Sequence, residues 1–298
     1  MLPSTHRQEA HHRHRALAVF ALMVVRVLCL PGYSQNKNVF HKKFAAIEKY
    51  CGKSVEFVII DPPIELKPSD VAGAAPAFDS IANFDEPELT PRAWWLSNET
   101  RTVYFRAEES IKYIWDILAA QSVPFDGVLG FSQGAAMAAM TVALLERPHH
   151  FDYLSTDGKP PHPPLRFGIY VSGFKPIDSK VTSIFNDDKL KTPSVQILGR
   201  NDVIVGIKRS QTLIDACEHP RVMWHDGGHF IPAKLSWRQF FKNYFLSWDP
   251  SSKVLPEDVP SPVVSATDTL SQLGTPTATR PNTPPPQASS GLLDSRPD

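Results

Sequence analysis

The chain has 298 residues with 31 basic and 31 acidic side chains, so it lacks the charge excess of a nucleic-acid or anionic-membrane binder. Its 42% hydrophobic content is that of an ordinary globular protein, and its length allows one large domain or two small ones. Cys29, Cys51 and Cys217 are few, scattered and odd in number, which excludes a disulfide framework and a C-x-x-C pair and suits a reducing compartment.

Residues 1–15 are polar and basic, and residues 16–25 are apolar. A basic-then-apolar opening resembles a signal peptide. The apolar run is too short to span a bilayer before Arg26 interrupts it. No small-x-small cleavage site follows, and a cut near Pro31 would remove the first core strand. We therefore expect an N-terminal extension over 1–25, no stable membrane span and a cytoplasmic protein. Targeting by this segment is the alternative, as is a natural start at Met23. Asn98-Glu99-Thr100 is a glycosylation sequon, meaningful only in a secreted chain.

From 26 to 247 strand and helix signals alternate, the pattern of a mostly parallel sheet with helices on both faces. An apolar strand over 26–30 ends at Pro31-Gly32. In the helix that follows, Phe40, Phe44, Ile47 and Cys51 share one face. A second strand is expected over 55–60. Residues 61–106 break the alternation, being rich in Pro, Asp and Ala; an irregular stretch this long is usually a lid or binding loop. It carries Phe78, Phe84, Trp94 and Trp95. These aromatics either seal the core edge or line an acyl pocket, and Trp94 and Trp95 are the better pocket candidates. A helix over 107–121 follows, with Ile111, Ile114, Trp115 and Leu118 as its stripe.

Gly130-Phe131-Ser132-Gln133-Gly134 fits the G-x-S-x-G nucleophile elbow between a strand, 127–131, and an Ala-rich helix, 133–146. A Ser on that sharp turn needs small neighbours two before and two after, which Gly130 and Gly134 supply. Strands are expected over 165–173 and 194–199, a helix over 206–218, a last strand over 221–225, and a helix with Trp237, Phe240, Phe241 and Tyr244 inward. Residues 248–298 are rich in Pro, Ser and Thr, and we expect a disordered tail.

A serine nucleophile needs a base, and the base needs an acid to hold its tautomer. In a hydrolase sheet these follow in the order Ser, Asp or Glu, then His, each on a loop after a strand. Asp202 sits just past the strand 194–199, the better-placed acid; Asp187 and Asp188 are rivals with no strand before them. His229 follows the last strand within Asp226-Gly-Gly-His-Phe-Ile-Pro232, where two glycines let the backbone turn sharply. His225 is its rival at the strand end; His149, His150 and His162 fall outside the order. No pair has metal-ligand spacing, so no metal is expected. For an oxyanion hole the Gln133 N–H offers one donor at a helix N-terminus, and Tyr33, on the loop after the first strand, offers the other. Pro31 has no N–H to give.

Over 26 to about 245 the chain resembles the FSH-type serine hydrolases, an α/β-hydrolase family. The resemblance is carried by Leu28-Cys-Leu-Pro-Gly-Tyr-Ser-Gln-Asn36, Arg92-Ala-Trp-Trp95, Phe125-Asp-Gly-Val-Leu-Gly-Phe-Ser-Gln-Gly-Ala135, Val171-Ser-Gly-Phe174 and Gly227-Gly-His-Phe-Ile-Pro232. It implies an α/β-hydrolase fold, Ser132 as nucleophile, Asp202 as acid and His229 as base. It also implies hydrolysis of carboxylic esters or thioesters without a cofactor. Some fungal relatives release a chain from the carrier thioester of a polyketide synthase, so a carrier domain is an expected partner. An acyltransferase with the same three residues, and a catalytically silent binding protein, are the alternatives. This chain departs from the family at Pro31, where His is usual; activity is expected to survive because Tyr33 can still donate.

Overall fold

The computed structural model describes residues 24–71, 79–150 and 159–262. The expectations for residues 1–23, Phe78 and the chain after 262 lie outside them. Six strands form one wholly parallel sheet: β1 (Val25–Leu30), β2 (Val55–Ile59), β7 (Gly127–Phe131), β8 (Phe167–Val171), β9 (Ser194–Gly199) and β10 (Pro220–His225). Their order across the sheet is β10-β9-β8-β7-β1-β2. The order reverses at the β1/β7 boundary, because β2 is laid on one side of β1 and every later strand on the other. The carboxyl ends of strands beside such a switch point flank the crevice where open parallel sheets bind ligands.

Strand residues alternate between two cores, as the period of a β-strand requires. Val27, Cys29, Leu129, Phe131, Ile169 and Ile197 face one side, where α1 (Lys37–Cys51) and the C-terminal helix α6 (Leu235–Leu246) cover them. Helix α1 buries Val39, Phe40, Phe44, Ile47 and Cys51. Leu28, Leu30, Val128 and Tyr170 face the other side, under α2 (Ala107–Ala119) and α3 (Gln133–Glu146). Helix α3 is buried all round, and its alanines bring it close to β7 and β8. Two short helices complete the set, α4 (Ser179–Thr182) and α5 (Ile207–Asp215). All three cysteines are free and buried. Among the described residues, no helix is long and apolar enough to cross a membrane.

Three expectations change. The stretch 61–106 is not irregular throughout. It folds into two small antiparallel ribbons, β3 (Ile64–Glu65) with β4 (Arg92–Ala93) and β5 (Leu96–Ser97) with β6 (Tyr104–Phe105). Strands of two residues are too short for a period-2 pattern to show in sequence. The first strand starts at Val25, one residue inside the expected extension, because Val25 pairs with Val55. The tail does not begin at 248. Trp248 stacks on Phe167 with ring centroids 5.2 Å apart. Val259 is buried in the α1/α6 core. Arg221 donates to the carbonyls of Pro256 and Val259 and to Ser261 Oγ. Pro- and Ser-rich composition forbids a core of its own but not docking of single side chains onto an existing one.

Candidate active site

The chain turns from β7 into α3 at Ser132, whose backbone has φ 54° and ψ −116°. A non-glycine residue adopts this left-handed region only where its surroundings enforce it. They do. The Ser132 N–H donates to the Val171 carbonyl at 2.8 Å, and its carbonyl accepts from the N–H groups of Ala135 and Ala136. A Cβ at Gly130 would stand 2.2 Å from the Gly134 carbonyl oxygen, and one at Gly134 would stand 2.2 Å from the oxygens of Leu30 and Pro31. The two glycines are thus a matter of space: the elbow presses on itself and on the end of β1.

The loops after β9 and β10 bring up the other polar groups. His229 Nε2 lies 2.9 Å from Ser132 Oγ, and His229 Nδ1 lies 2.8 Å from Asp202 Oδ2. The other Asp202 oxygen accepts from the N–H groups of Ile204 and Val205, at 2.9 and 2.8 Å. Burial of the Asp202 carboxyl works to raise its pKa. The His229 hydrogen bond, the Val205 N–H and the electrostatic attraction of His229 outweigh it and hold the carboxyl below its usual range. The Ser172 hydroxyl is buried without a hydrogen-bond partner among the described residues. The two loops interlock: Asn201 donates to the carbonyls of Gly227 and Asp226, and a Cβ at Gly199 would stand 2.3 Å from the Gly228 oxygen. Neither Gly227 nor Gly228 has a positive φ, so the pair serves close approach rather than an unusual turn. At Gly227 a Cβ would strike the Phe230 ring.

The rivals go elsewhere. His225 is buried, its Nδ1 accepting from the Gly227 N–H at 3.2 Å. Asp187 pairs with His150 at 2.8 Å and His149 at 3.5 Å, away from the elbow. Both imidazoles converge on the same Asp187 oxygen, which hydrogen bonding explains without an ion. Among the described residues this trio is the one grouping with metal-ligand proximity.

The Gln133 N–H is the first of α3 and has no acceptor within the helix. For the Tyr33 N–H, no acceptor occurs among the described residues. The loop carrying Tyr33 is tied down on every side. Gly32 N–H donates to Gln35 Oε1 at 2.9 Å, Gln35 Nε2 donates to Asp79 at 2.6 Å, and Ser34 Oγ accepts from the Asp79 N–H at 2.7 Å. Pro31 contributes its carbonyl, which accepts from Trp94 Nε1 at 2.8 Å.

That bond corrects one expectation. Trp94 is wholly buried and does not line the cavity; it braces the Pro31 loop. Trp95 does line it, stacked on Tyr104 with centroids 4.7 Å apart. The cavity has two lobes meeting at Tyr33 and Ser132. The larger, about 680 Å³, is walled by Trp95, the 96–105 ribbon, Phe174, Ile204, Val205 and Arg209. The smaller, about 410 Å³, is walled by Phe40, Lys43, Asp79, Phe131, His229 and Phe230. Both fall in the usual size range of small-molecule sites. Sequence reasoning missed the Gln133 side chain. Its Oε1 accepts from the Trp94 N–H and its Nε2 donates to the Trp95 carbonyl, both at 2.9 Å. The Arg-Ala-Trp-Trp block, far from the elbow in sequence, was the only trace of that contact.

A family model described as "Serine hydrolase (FSH1)" matches residues 23–241. An uncharacterized hydrolase of Schizosaccharomyces pombe is 30% identical over 257 residues, which are 83% of this chain and 58% of the relative. Esterase OVCA2 of Danio rerio is 32% identical over 232 residues, 74% of this chain and 96% of that protein. Among solved structures, Zea mays acyl-protein thioesterase 2 aligns at 18% identity and a TM-score of 0.46, covering 70% of this chain and 87% of that one. The family model spans most of the chain and takes in the elbow and both loops that meet it: the chain belongs to the FSH1 serine hydrolase family.

Proposed function

We propose that the protein hydrolyses carboxylic esters or thioesters through an acyl-enzyme on Ser132. The observation that carries this is the unbroken run Asp202–His229–Ser132, with contacts of 2.8 and 2.9 Å. Asp202 accepts from His229 Nδ1–H and so fixes the tautomer whose Nε2 is a base. As Ser132 Oγ bonds to the substrate carbonyl carbon, its proton passes to Nε2. The negative charge that develops on the carbonyl oxygen is met by the N–H groups of Gln133 and Tyr33, already held in place before substrate arrives. His229 then gives its proton to the departing alcohol or thiol. Water, deprotonated by the same nitrogen, cleaves the acyl-enzyme and releases the acid.

The two lobes support a division of labour. The departing atom must lie within reach of His229 Nε2, and His229 lines the smaller lobe but not the larger. The leaving group therefore occupies the smaller lobe and the acyl chain the larger. Within this reading the finer assignment is a thioesterase that releases a polyketide or fatty acyl chain from a carrier. The family resemblance supports it, and a panel of matched oxyesters and thioesters tests it. Three buried, unpaired cysteines support a cytoplasmic setting.

The test of the core reading is direct. The wild-type protein should turn over a generic acyl ester and be labelled by a fluorophosphonate, and Ser132→Ala should do neither. Equal labelling of that variant would overturn the assignment.

A further inference from the structure

The larger lobe holds a charge arrangement that a purely apolar acyl chain would not use. Arg209 lies in the first turn of α5, a turn with no acidic residue. A cation there opposes the positive end of the helix dipole. Its guanidinium carbon stands 3.5 Å from the centroid of the Phe174 ring, half-buried in the lobe wall. Among the described residues it forms no ion pair with a carboxylate. Arg101, at the tip of the 96–105 ribbon, lines the same lobe and adds a second positive charge. Burial lowers the pKa of the Arg209 guanidinium and Arg101 adds to this; Tyr104, which also accepts a hydrogen bond from it, and Asp202 work the other way, and the net direction is down.

Two carboxylates, Asp70 and Glu99, line the same lobe, but among the described residues neither forms an ion pair with Arg209 or Arg101. Asp202 is held by His229 and two backbone N–H groups. Asp70 accepts from the Lys67 N–H at 2.8 Å. Glu99 is exposed on the ribbon. An anion in the lobe would relieve the dipole, the desolvation and the mutual repulsion together. Phe174 stacks against the planar fork of Arg209 and the Tyr104 hydroxyl accepts a hydrogen bond from it, which orients the remaining N–H groups for a carboxylate.

From Arg209 and Arg101 facing the lobe that opens on Ser132, we infer that the preferred acyl group carries a carboxylate at its far end: the substrate is a half-ester or half-thioester of a dicarboxylic acid. Arg209 is the specificity-determining residue. This inference rests on the assignment of the larger lobe to the acyl chain.

The test compares p-nitrophenyl hydrogen adipate with p-nitrophenyl hexanoate, which share length and leaving group and differ in the terminal charge. The kcat/KM ratio of the two should favour adipate in the wild type. In Arg209→Met the ratio should fall by about tenfold or more, the usual worth of a charge-assisted hydrogen bond. Arg209→Lys should retain part of it. Arg101→Ala, at an exposed tip, should lower it less, and it provides the readout if the Arg209 variants do not fold. A wild-type ratio favouring hexanoate, or one unchanged in both Arg209→Met and Arg101→Ala, overturns the inference. Failure of the hydrolase reading looks different, since neither ester would then be cleaved. In that case binding decides: adipate, and not hexanoate, should raise the melting temperature of Ser132→Ala, and no such difference would refute the anionic site.

Discussion

Replacing Gln133 with Leu removes the amide that joins the elbow to the Trp94–Trp95 segment while keeping side-chain bulk. Two backbone groups lose their partners, the Trp94 N–H and the Trp95 carbonyl, and both bonds are buried. An orphaned buried group costs about 1–3 kcal/mol, so the pair costs about 2–6 kcal/mol. For a folded region of this size each kcal/mol moves the melting point by about 2–4 °C, giving a drop of about 4–24 °C. Thermal unfolding followed by circular dichroism reads it. The backbone N–H of residue 133 is untouched, so folded Gln133→Leu should still react with a fluorophosphonate at 20 °C. That separates loss of support from loss of chemistry. A melting point within 1 °C of wild type would refute the reasoning, because it would mean that water or rearrangement satisfies both groups without the amide.

Asp202→Asn should lower kcat on the order of 10⁴-fold by stabilising the wrong imidazole tautomer, with thermal stability as the control for folding; a loss below tenfold would remove Asp202 from the mechanism. Gly134→Ala should abolish soluble folded protein or probe labelling, because the new methyl carbon would sit 2.2 Å from two backbone oxygens that have no freedom to retreat; normal labelling would contradict the packing described. His162 is buried, and its Nε2 accepts from the Phe125 N–H at 2.8 Å. Burial chiefly pushes its pKa below the ordinary value. The unfolded chain therefore takes up the proton first, so this contribution to stability is present above about pH 6.5 and declines as pH falls below it. Urea titrations across pH 5 to 8 should show a shallower acid-side decline in His162→Asn; an identical decline would place the proton uptake elsewhere.

What could be read from the sequence was whatever a local pattern encodes. The elbow declares itself because Gly130 and Gly134 must be small on either side of a strained Ser132. Asp202 and His229 declare themselves because each follows a strand that is continuous enough to recognise. Helix α1 showed its face through Phe40, Phe44, Ile47 and Cys51. The missed features all depend on contacts between distant segments. The sequence singled out Gln133 for its backbone N–H alone, yet its side chain reaches residues nearly forty positions earlier. Trp94 and Trp95 are identical neighbours in sequence, and at the bend between β4 and β5 both enter the core while only Trp95 also reaches the cavity. Arg221 anchors Val259 and Ser261 through bonds that no composition profile registers.

The two-lobed cavity has a consequence for how such a protein could change trade. In the proposed mechanism, once the first product has left, the bound half of the substrate fills one chamber and the vacated chamber stands open beside it. Whatever enters there next, water or a competing alcohol or amine, determines whether the outcome is cleavage or transfer. On that mechanism the fate of the acyl group depends on the walls of the other chamber, those of Phe40, Lys43, Asp79 and Phe230. Drying or widening that chamber is the route by which a hydrolase of this build would become a synthetic catalyst, with the nucleophile and its relay left as they are.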